Sequence, residues 1–555
     1  MPLPPLPSRE SALAALADRE FDLLVIGGGI TGTGVARDAA LRGLSVALVE
    51  RGDFASGTSS RSSRLIHGGV RYLEHGYLSL VFESSAERRR LLRLAPHLVR
   101  PLAFTWPVYR GARVPRWKLL AGLALYDALA MFRNVATHRP LRADTVLARE
   151  PALRREALVG GALYYDAATD DARLTLANAI GAAAAGAVVL NHVSAESLLL
   201  RDGRVVGTTV RDRETDRESA VRARVVVNAT GPWSDVVHRF ENADAPALVR
   251  GTKGVHIAVP RRRIGNRDAL TLLSPTDGRV MFVIPGGTHA IIGTTDTESL
   301  ATPEEVRADE ADIAYLLAAA NHFFPGAHLE RSDVVSAWAG IRPLIASGFD
   351  GTPASASREH LLSWTPGGVL AVSGGKLTTY RVMAAEAVDA IAARLGRRTG
   401  RSPTATEPLP GGSMGSNGTS IADAIARAAP VVGGADRARH LVHAYGSAWR
   451  DVWSLVEADP SLAEPVAPGL PYIRAELVHA VRAELARTLG DLLIRRTKVA
   501  YETRDNGRAV AEAVAELVAP EFQWNEERRA RALLEYEREV ERIFGIEPAP
   551  VATPA

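Results

Sequence analysis

The chain has 555 residues, 46% of them apolar, with 66 Lys+Arg against 63 Asp+Glu and a net charge of +3. That length can bury more than one core, and so small and evenly spread a charge gives no electrostatic footprint for nucleic acid. Cysteine is absent, which excludes disulfides, thiolate metal sites, iron–sulfur clusters and a cysteinyl cofactor link; any redox chemistry rests on an organic cofactor, and no metal is expected.

The start, MPLPPLPSRE, lacks the basic-then-apolar pattern of a secretory leader, and no run approaches the ~20 apolar residues that span a bilayer. A cytoplasmic protein, facing a membrane at most from one side, is the expectation. Residues 11–20 read as a short helix, and FDLLVIG from Phe21 as a buried strand bounded by glycine. Gly27, Gly29 and Gly32 then fit G-x-G-x-x-G, residues 30–42 read as a helix, and SVALVE makes a second strand ending at Glu50. This is a βαβ unit with its acidic terminus in register. The glycines allow close backbone approach, so the first helical turn offers amides and a positive dipole end to a pyrophosphate while Glu50 takes a ribose diol.

A plain NAD domain would continue with further βα units; here TSSRSSRLIHGGVRYL follows at 58–73. Hydroxyls at Thr58, Ser59, Ser60, Ser62 and Ser63 suit a phosphate-bearing chain, Gly68 and Gly69 would let the backbone lie against a flat ring, and no second G-x-G-x-x-G marks a nicotinamide site. The stretch WKLLAGLALYDALAMF, 117–132, is too short and too interrupted by Asp127 to span a bilayer. It reads as a buried helix or as an interfacial one, the latter helped by Arg110, Arg113, Arg116 and Lys118 just upstream.

VVVNATG at 225–231 and GVLAVSGGKLTTYR at 368–381 repeat the strand-then-glycine character, the second running into a helix to about Leu395. Between them GVHIAVP and VMFVIPGG alternate as antiparallel strands do. The fold expected is α/β: a Rossmann-like core in segments 20–75, 190–235 and 335–395, with β-rich substrate-binding insertions, all within one unit over 1–400. Residues 401–420 read as a linker by composition, 421–547 as an all-α C-terminal domain, and 548–555 as a Pro-rich tail. GGSMG at 411–415 matches a hydrolase nucleophile elbow, but no strand precedes it, so Ser413 reads as linker. GGKLT is not a P-loop, since Leu370 stands where glycine is needed and Leu377 replaces Ser or Thr.

GGGITGTGVARDAALRGLSVALVE, TSSRSSRLIHGGVRYLEHGYLSLV, NATGPWSD, KGVHIAVP, GTTDT, AGIRPL and SGGKLTTYR, in that order, resemble the FAD-dependent glycerol-3-phosphate dehydrogenase family of the aerobic, membrane-associated type. The likeness is close over residues 20–400 and looser beyond. It implies a glutathione-reductase/D-amino-acid-oxidase-like fold, bound FAD, and oxidation of glycerol 3-phosphate to dihydroxyacetone phosphate with the C2 hydride accepted at flavin N5. It also implies electron delivery to membrane quinone by a protein docked peripherally on the inner face of the membrane. A glycerol-3-phosphate oxidase that reduces oxygen to hydrogen peroxide stays open, as does a homodimer.

The resemblance further implies that the dinucleotide meets Gly27, Gly29, Ile30, Thr31, Gly32, Glu50 and Arg51, then Thr58, Ser59, Ser60, Ser63, Leu65, His67, Gly68 and Gly69. Val193, Ala229, Thr230, Gly231 and Trp233 join them, with Arg342, Gly375, Lys376, Leu377 and Thr378 at the ring. The substrate is a small dianion and calls for converging cations: Arg71 beside Tyr72, Arg342 in AGIRPL, and Arg358 in the sparser SASREH. His256 is the expected acceptor of the C2 hydroxyl proton, with an unperturbed pKa near neutrality. Lys376, at a helix start running from Gly374 to Thr378, adds charge at the flavin's N1 and C2 carbonyl or at the substrate oxygen. Lysine is common in the family where this chain has Arg64, and Gly76 is a second departure.

Overall fold

Glu20–Ile26 forms the central strand of the first sheet, and every residue from Phe21 onward is buried. In the computed structural model, which describes residues 6–298, 301–345, 359–414 and 420–549, this strand pairs in parallel with Val46–Val49 on one side and Arg217–Asn228 on the other. Val188–Leu190 and Val369–Gly374 extend the parallel order outward, and His360–Trp364 closes one edge antiparallel. Helices cover both faces, which is why these strands read as unbroken apolar runs. Ile30–Leu41 and Tyr380–Leu395 pack with Leu23 and Val25 on one face, while Arg9–Asp18 brings Ala12 and Leu16 against Leu24 and Ile26 on the other. That first helix begins two residues earlier than its periodicity predicts, because Ser8 caps it by accepting from the Ser11 amide.

The second sheet is built from the insertions together with Leu65–Ile66 and Ser336–Ile345, which were expected in the core segments 20–75 and 335–395 but pair with inserted strands instead. Among the described residues its main path runs from Thr297–Glu298 through Val249–Pro260, His289–Gly293, Val280–Gly286, Ala269–Leu273, Val99–Tyr109 and Leu158–Thr169 to Leu65–Ile66, with Ser336–Ile345 also paired to Val249–Pro260. Alternation decides the faces. Val255, Ile257 and Val259 enter one core under the helix Glu310–Phe323, which leaves His256 on the opposite face.

The C-terminal part is helical from Ile421 to Phe544; Val432, Leu441 and Val452 belong to a core of its own, but a second set of its apolar residues is shared. Leu492, Tyr501, Val514 and Phe544 share one apolar cluster with Phe104 and Trp338 of the second sheet and Tyr126 of the helix Arg116–Leu129. The described residues 401–414 of the expected linker are likewise packed against the rest of the chain. Arg37 of the glycine-rich helix donates to the carbonyls of Glu407 and Pro408 at 3.1 and 2.9 Å, and Leu409 is 2% exposed. Composition resembled a flexible joint because Gly, Pro and Ser also make tight straps once a buried cation satisfies their carbonyls. Ser413 sits in a single turn, Gly412–Met414, with no preceding strand.

Candidate active site

A cavity of about 1350 Å³ opens at the carboxyl ends of the parallel strands, where open α/β sheets bind their ligands. Gly27, Gly29, Ile30 and Thr31 line it, with Glu50, Arg51, Thr58, Ser59, Val193, Ala229, Thr230, Gly231, Trp233, Gly375, Lys376 and Leu377. Gly27 has φ +110°, and a Cβ on Gly32 would lie 1.9 Å from the Gly27 oxygen, so only glycine lets strand and helix meet this closely. Glu50 accepts from the Gly28 amide at 2.6 Å and the Gly52 amide at 2.7 Å. Burial raises its pKa, and those two amides offset part of the rise. A carboxylate has about four lone-pair positions, which leaves capacity for a diol. The cradle, its acid and its size thus fit an extended dinucleotide.

Several hydroxyls expected along a phosphate chain serve the protein instead. Thr58 donates to the Ile341 carbonyl at 2.6 Å, and Ser59 accepts from the Ile30 amide at 3.0 Å, though both still line the cavity. Ser60 is buried, with its hydroxyl turned to the Gly57 carbonyl. Ser62 donates to Asp171, and Ser63 bonds His256 Nε2 at 2.9 Å. Leu65 faces the apolar core rather than the cavity.

Gly68 and Gly69 are required by side chains of the protein rather than by an open flat space. A Cβ on Gly68 would fall 2.2 Å from the Tyr126 hydroxyl, and one on Gly69 2.2 Å from the Tyr72 ring. Beneath them lies a buried network absent from the sequence reading. Asp166 accepts from the Gly68 amide and the Tyr126 hydroxyl at 3.1 and 2.7 Å and pairs with Arg88, fixing this turn from below. His67 stacks on Tyr72 with centroids 6.5 Å apart, and its backbone amide and carbonyl both bond Thr378 Oγ1 at 3.2 Å. That bond ties the 65–72 segment to Lys376, whose Nζ lies 4.7 Å over the Tyr72 ring. Lys376 occupies the cap position of a turn at Leu377–Thr379, and the helix proper starts at Tyr380.

His256 and Arg342 come together on the paired strands Val249–Pro260 and Ser336–Ile345, where His256 faces Trp338 and Thr252 faces Arg342. Arg342 donates to Asp296 at 3.0 Å and to Thr294 Oγ1 at 2.9 Å. Two glycines outside the familiar motifs make room for them. A Cβ on Gly254 would lie 2.2 Å from an Arg342 nitrogen, and one on Gly293 2.3 Å from the His256 ring. His256 is 3% exposed, and its Nδ1 has no hydrogen-bond partner among the described residues. Its expected near-neutral pKa does not hold: burial first, then Arg342 and Arg64, push it down to about 3. The ring is therefore neutral across the working pH range.

Arg71 belongs to the turn Val70–His75, but its side chain lies outside the described residues, as does the whole of Arg358. Glu304, which no motif marks, accepts from both Arg51 and Trp233 at the cavity wall. The helix Arg116–Leu129 is neither buried nor free: Leu119, Leu123 and Tyr126 pack inward, whereas Trp117 is 73% and Phe132, just beyond its end, 68% exposed.

Comparison with known proteins agrees with this geometry. The family model described as FAD dependent oxidoreductase matches residues 22–387, and that described as the C-terminal domain of alpha-glycerophosphate oxidase matches 402–529. The chain is 41% identical over 543 residues to glycerol-3-phosphate dehydrogenase 2 of Mycobacterium tuberculosis (strain ATCC 25618 / H37Rv), covering 96% of this chain and 90% of that one. Over 559 residues it is 36% identical to the mitochondrial glycerol-3-phosphate dehydrogenase of Homo sapiens, covering 96% and 75%. The X-ray structure of the glycerol-3-phosphate dehydrogenase from Bacillus halodurans complexed with FAD matches with a TM-score of 0.81 at 34% identity, covering 96% and 97%. With the dinucleotide cradle, His256 and Arg342 on adjacent strands, and these relatives along nearly its whole length, the chain belongs to the FAD-dependent oxidoreductases and, within them, to the glycerol-3-phosphate dehydrogenases.

Proposed function

We propose that this protein binds FAD, oxidises sn-glycerol 3-phosphate to dihydroxyacetone phosphate, and passes the electrons to membrane quinone while docked peripherally on the cytoplasmic face of the membrane. The observation that carries the reading is the placement of a buried neutral imidazole beside a guanidinium fork, on strands adjoining the cavity end lined by Pro343, Gly375 and Lys376. Bound FAD would supply the two-electron acceptor. The remaining work falls to side chains of this chain.

Arg342 presents a planar fork suited to phosphate oxygens, with Asp296 holding it from behind. Lys376 adds a second cation, steadied over Tyr72. His256 is held at Nε2 by Ser63 and stacked on Trp338, so its unpaired Nδ1 is the nitrogen free to take the C2 hydroxyl proton. Because Arg342 is among the causes depressing His256, a substrate dianion that neutralises Arg342 would raise the basicity of the histidine at the moment it is needed.

Docking is supported by the exposed Trp117, Leu125, Met131 and Phe132, a patch of apolar side chains too large to ignore on a water-facing surface. Arg133 follows directly, and after burial it adds, with Arg90 and Arg93, to the lowering of the Arg89 pKa. Apolar anchors beside clustered cations suit an anionic lipid surface. The match of residues 402–529 to a domain named for an oxidase keeps the oxygen-reducing alternative in play.

Anaerobic mixing of the yellow protein with glycerol 3-phosphate tests the first half: the flavin absorbance should bleach, and a colour that persists rejects the reading. Peroxide yield with and without a quinone tests the acceptor, since stoichiometric peroxide in both would favour the oxidase.

A further inference from the structure

The dinucleotide-binding unit does not enclose its own cavity. Besides Gly27, Gly29 and Glu50, the walls include Arg538, Glu539 and Arg542 of the last long helix, Glu526–Phe544. That helix is fastened from three sides. The Tyr536 hydroxyl donates to the Asn506 carbonyl at 2.6 Å, Glu539 accepts from Arg495 at 2.8 Å, and just beyond the helix Ile546–Glu547 pairs with Ala308–Asp309 of the substrate unit. Arg495 in turn donates to Asp53 at 2.7 Å, next to the Glu50–Gly52 corner. The helix is thus held against the segment that follows the acidic end of the βαβ unit.

The charges gathered there are unevenly paired. Arg495 and Arg496 share Asp53, Arg495 also reaches Asp491 and Glu539, and among the described residues Arg542 has one ion pair, to Glu539 at 3.5 Å. Arg61 is 6% exposed and among the described residues donates to carbonyl oxygens, those of Ala339 and Ser56, both at 3.4 Å, while its Nε has no hydrogen-bond partner there. Among the described residues, carboxylates at ion-pair distance serve Arg495, Arg496 and Arg542 but not Arg61; Glu304 acts on Arg542 and Glu484 on Arg496 from farther off, and Asp491 is already bonded by His192. Burial first, then Arg542 and less strongly Arg495, push Arg61 down to about 10, against the pull of Tyr501 and Glu539. A buried guanidinium without a carboxylate at ion-pair distance is costly unless an anion joins it, and the wall in front of Arg61, Ser56 to Ser59, is a wall of the cavity.

We propose that the C-terminal helical domain is part of the cofactor site: Arg542, backed by Arg61 behind the Ser56–Ser59 wall, supplies positive charge to the diphosphate of the bound dinucleotide. Cofactor retention then depends on the terminal helix staying docked. This rests on the reading that FAD occupies the cavity.

The test uses full-length protein stripped of flavin and titrated with FAD, ADP and adenosine, for the wild type, Arg542→Gln and Arg542→Lys. Arg542→Gln should raise the dissociation constants of FAD and ADP by about 10- to 100-fold at low salt, the loss expected of one charge-assisted contact. Its binding should also depend less steeply on salt, adenosine affinity should hold, and Arg542→Lys should recover part of the loss. Unfolding midpoints of the flavin-free variants check the fold, and the salt slope of wild-type binding gives a reading that needs no variant. Unchanged FAD and ADP affinity in Arg542→Gln, or an equal loss for adenosine, overturns the proposal. Wild-type protein that takes up no FAD overturns the underlying reading as well, and is told apart because it fails without any substitution.

Discussion

His256 lies flat against Trp338, their ring centroids 5.6 Å apart and their planes 11° from parallel. Trp338 meets Tyr501 of the C-terminal domain edge-on at 5.0 Å, so the candidate proton acceptor is buttressed by a domain more than 200 positions along the chain. This stack keeps the imidazole dry and neutral. The pH profile of kcat/KM should consequently lack a histidine limb at about pH 6 to 7. His256→Gln should cut turnover by about 10²- to 10⁴-fold. A limb near neutrality that disappears in His256→Gln would contradict the depressed pKa.

Acid stability follows from the same burial. His97 and His256 are held down to about 3 and His443 to about 4, burial being the first cause in each. Their folded pKa values lie below the unfolded value, so the unfolded chain takes up protons that the folded chain refuses. The stability they allow is full above about pH 6.5 and is lost as pH falls toward 4, at about 1.4 kcal/mol per pH unit for each histidine. Urea midpoints measured across this window should fall steeply, and His97→Gln should flatten the slope by about one proton.

Arg342→Gln should raise KM for glycerol 3-phosphate by about 100-fold, the loss of a charge-assisted fork, with flavin content unchanged. Steady-state kinetics beside the visible spectrum separate these effects. An unaltered KM would remove Arg342 from the phosphate site.

Asp53→Ala leaves Arg495 and Arg496 without their shared buried carboxylate. The expected cost is about 3–5 kcal/mol, read as a lowered denaturation midpoint. Trypsin cleavage in the 401–420 strap should quicken at the same time, because docking of the helical domain is what weakens. A midpoint like that of the wild type would mean the pairs contribute nothing.

Replacing Trp117 and Phe132 together by serine should reduce co-sedimentation with anionic vesicles by about tenfold, since two large side chains would no longer enter the interface. Turnover with a water-soluble dye should stay as in the wild type. Equal vesicle binding by both proteins would exclude this patch as the anchor.

Much of the dinucleotide cradle was legible because its constraints are local. Gly27 and Gly32 stand at a spacing set by one turn of chain and Glu50 at the far end of the same βαβ unit, and backbone sterics leave few alternatives. The same logic placed His256 on a strand, but not its pKa, which depends on Arg342 and Arg64 arriving from other segments. Gly68 and Gly69 show the limit from another side: their glycine character is plain in the chain, yet the reason for it is Tyr126 and Tyr72.

By itself the sequence determined the periodicities, and with them the parallel core, the alternating insertions and the helical C-terminal part, since those depend on neighbours within a few residues. Only the tertiary structure decided which polar groups share a buried space. The Ser59 hydroxyl caps the Ile30 amide, the 402–414 segment is clasped by Arg37, and Arg542 enters the cavity wall. Burial and charge interaction act through space and fall off over a few ångströms, and spacing along the chain carries no record of that distance.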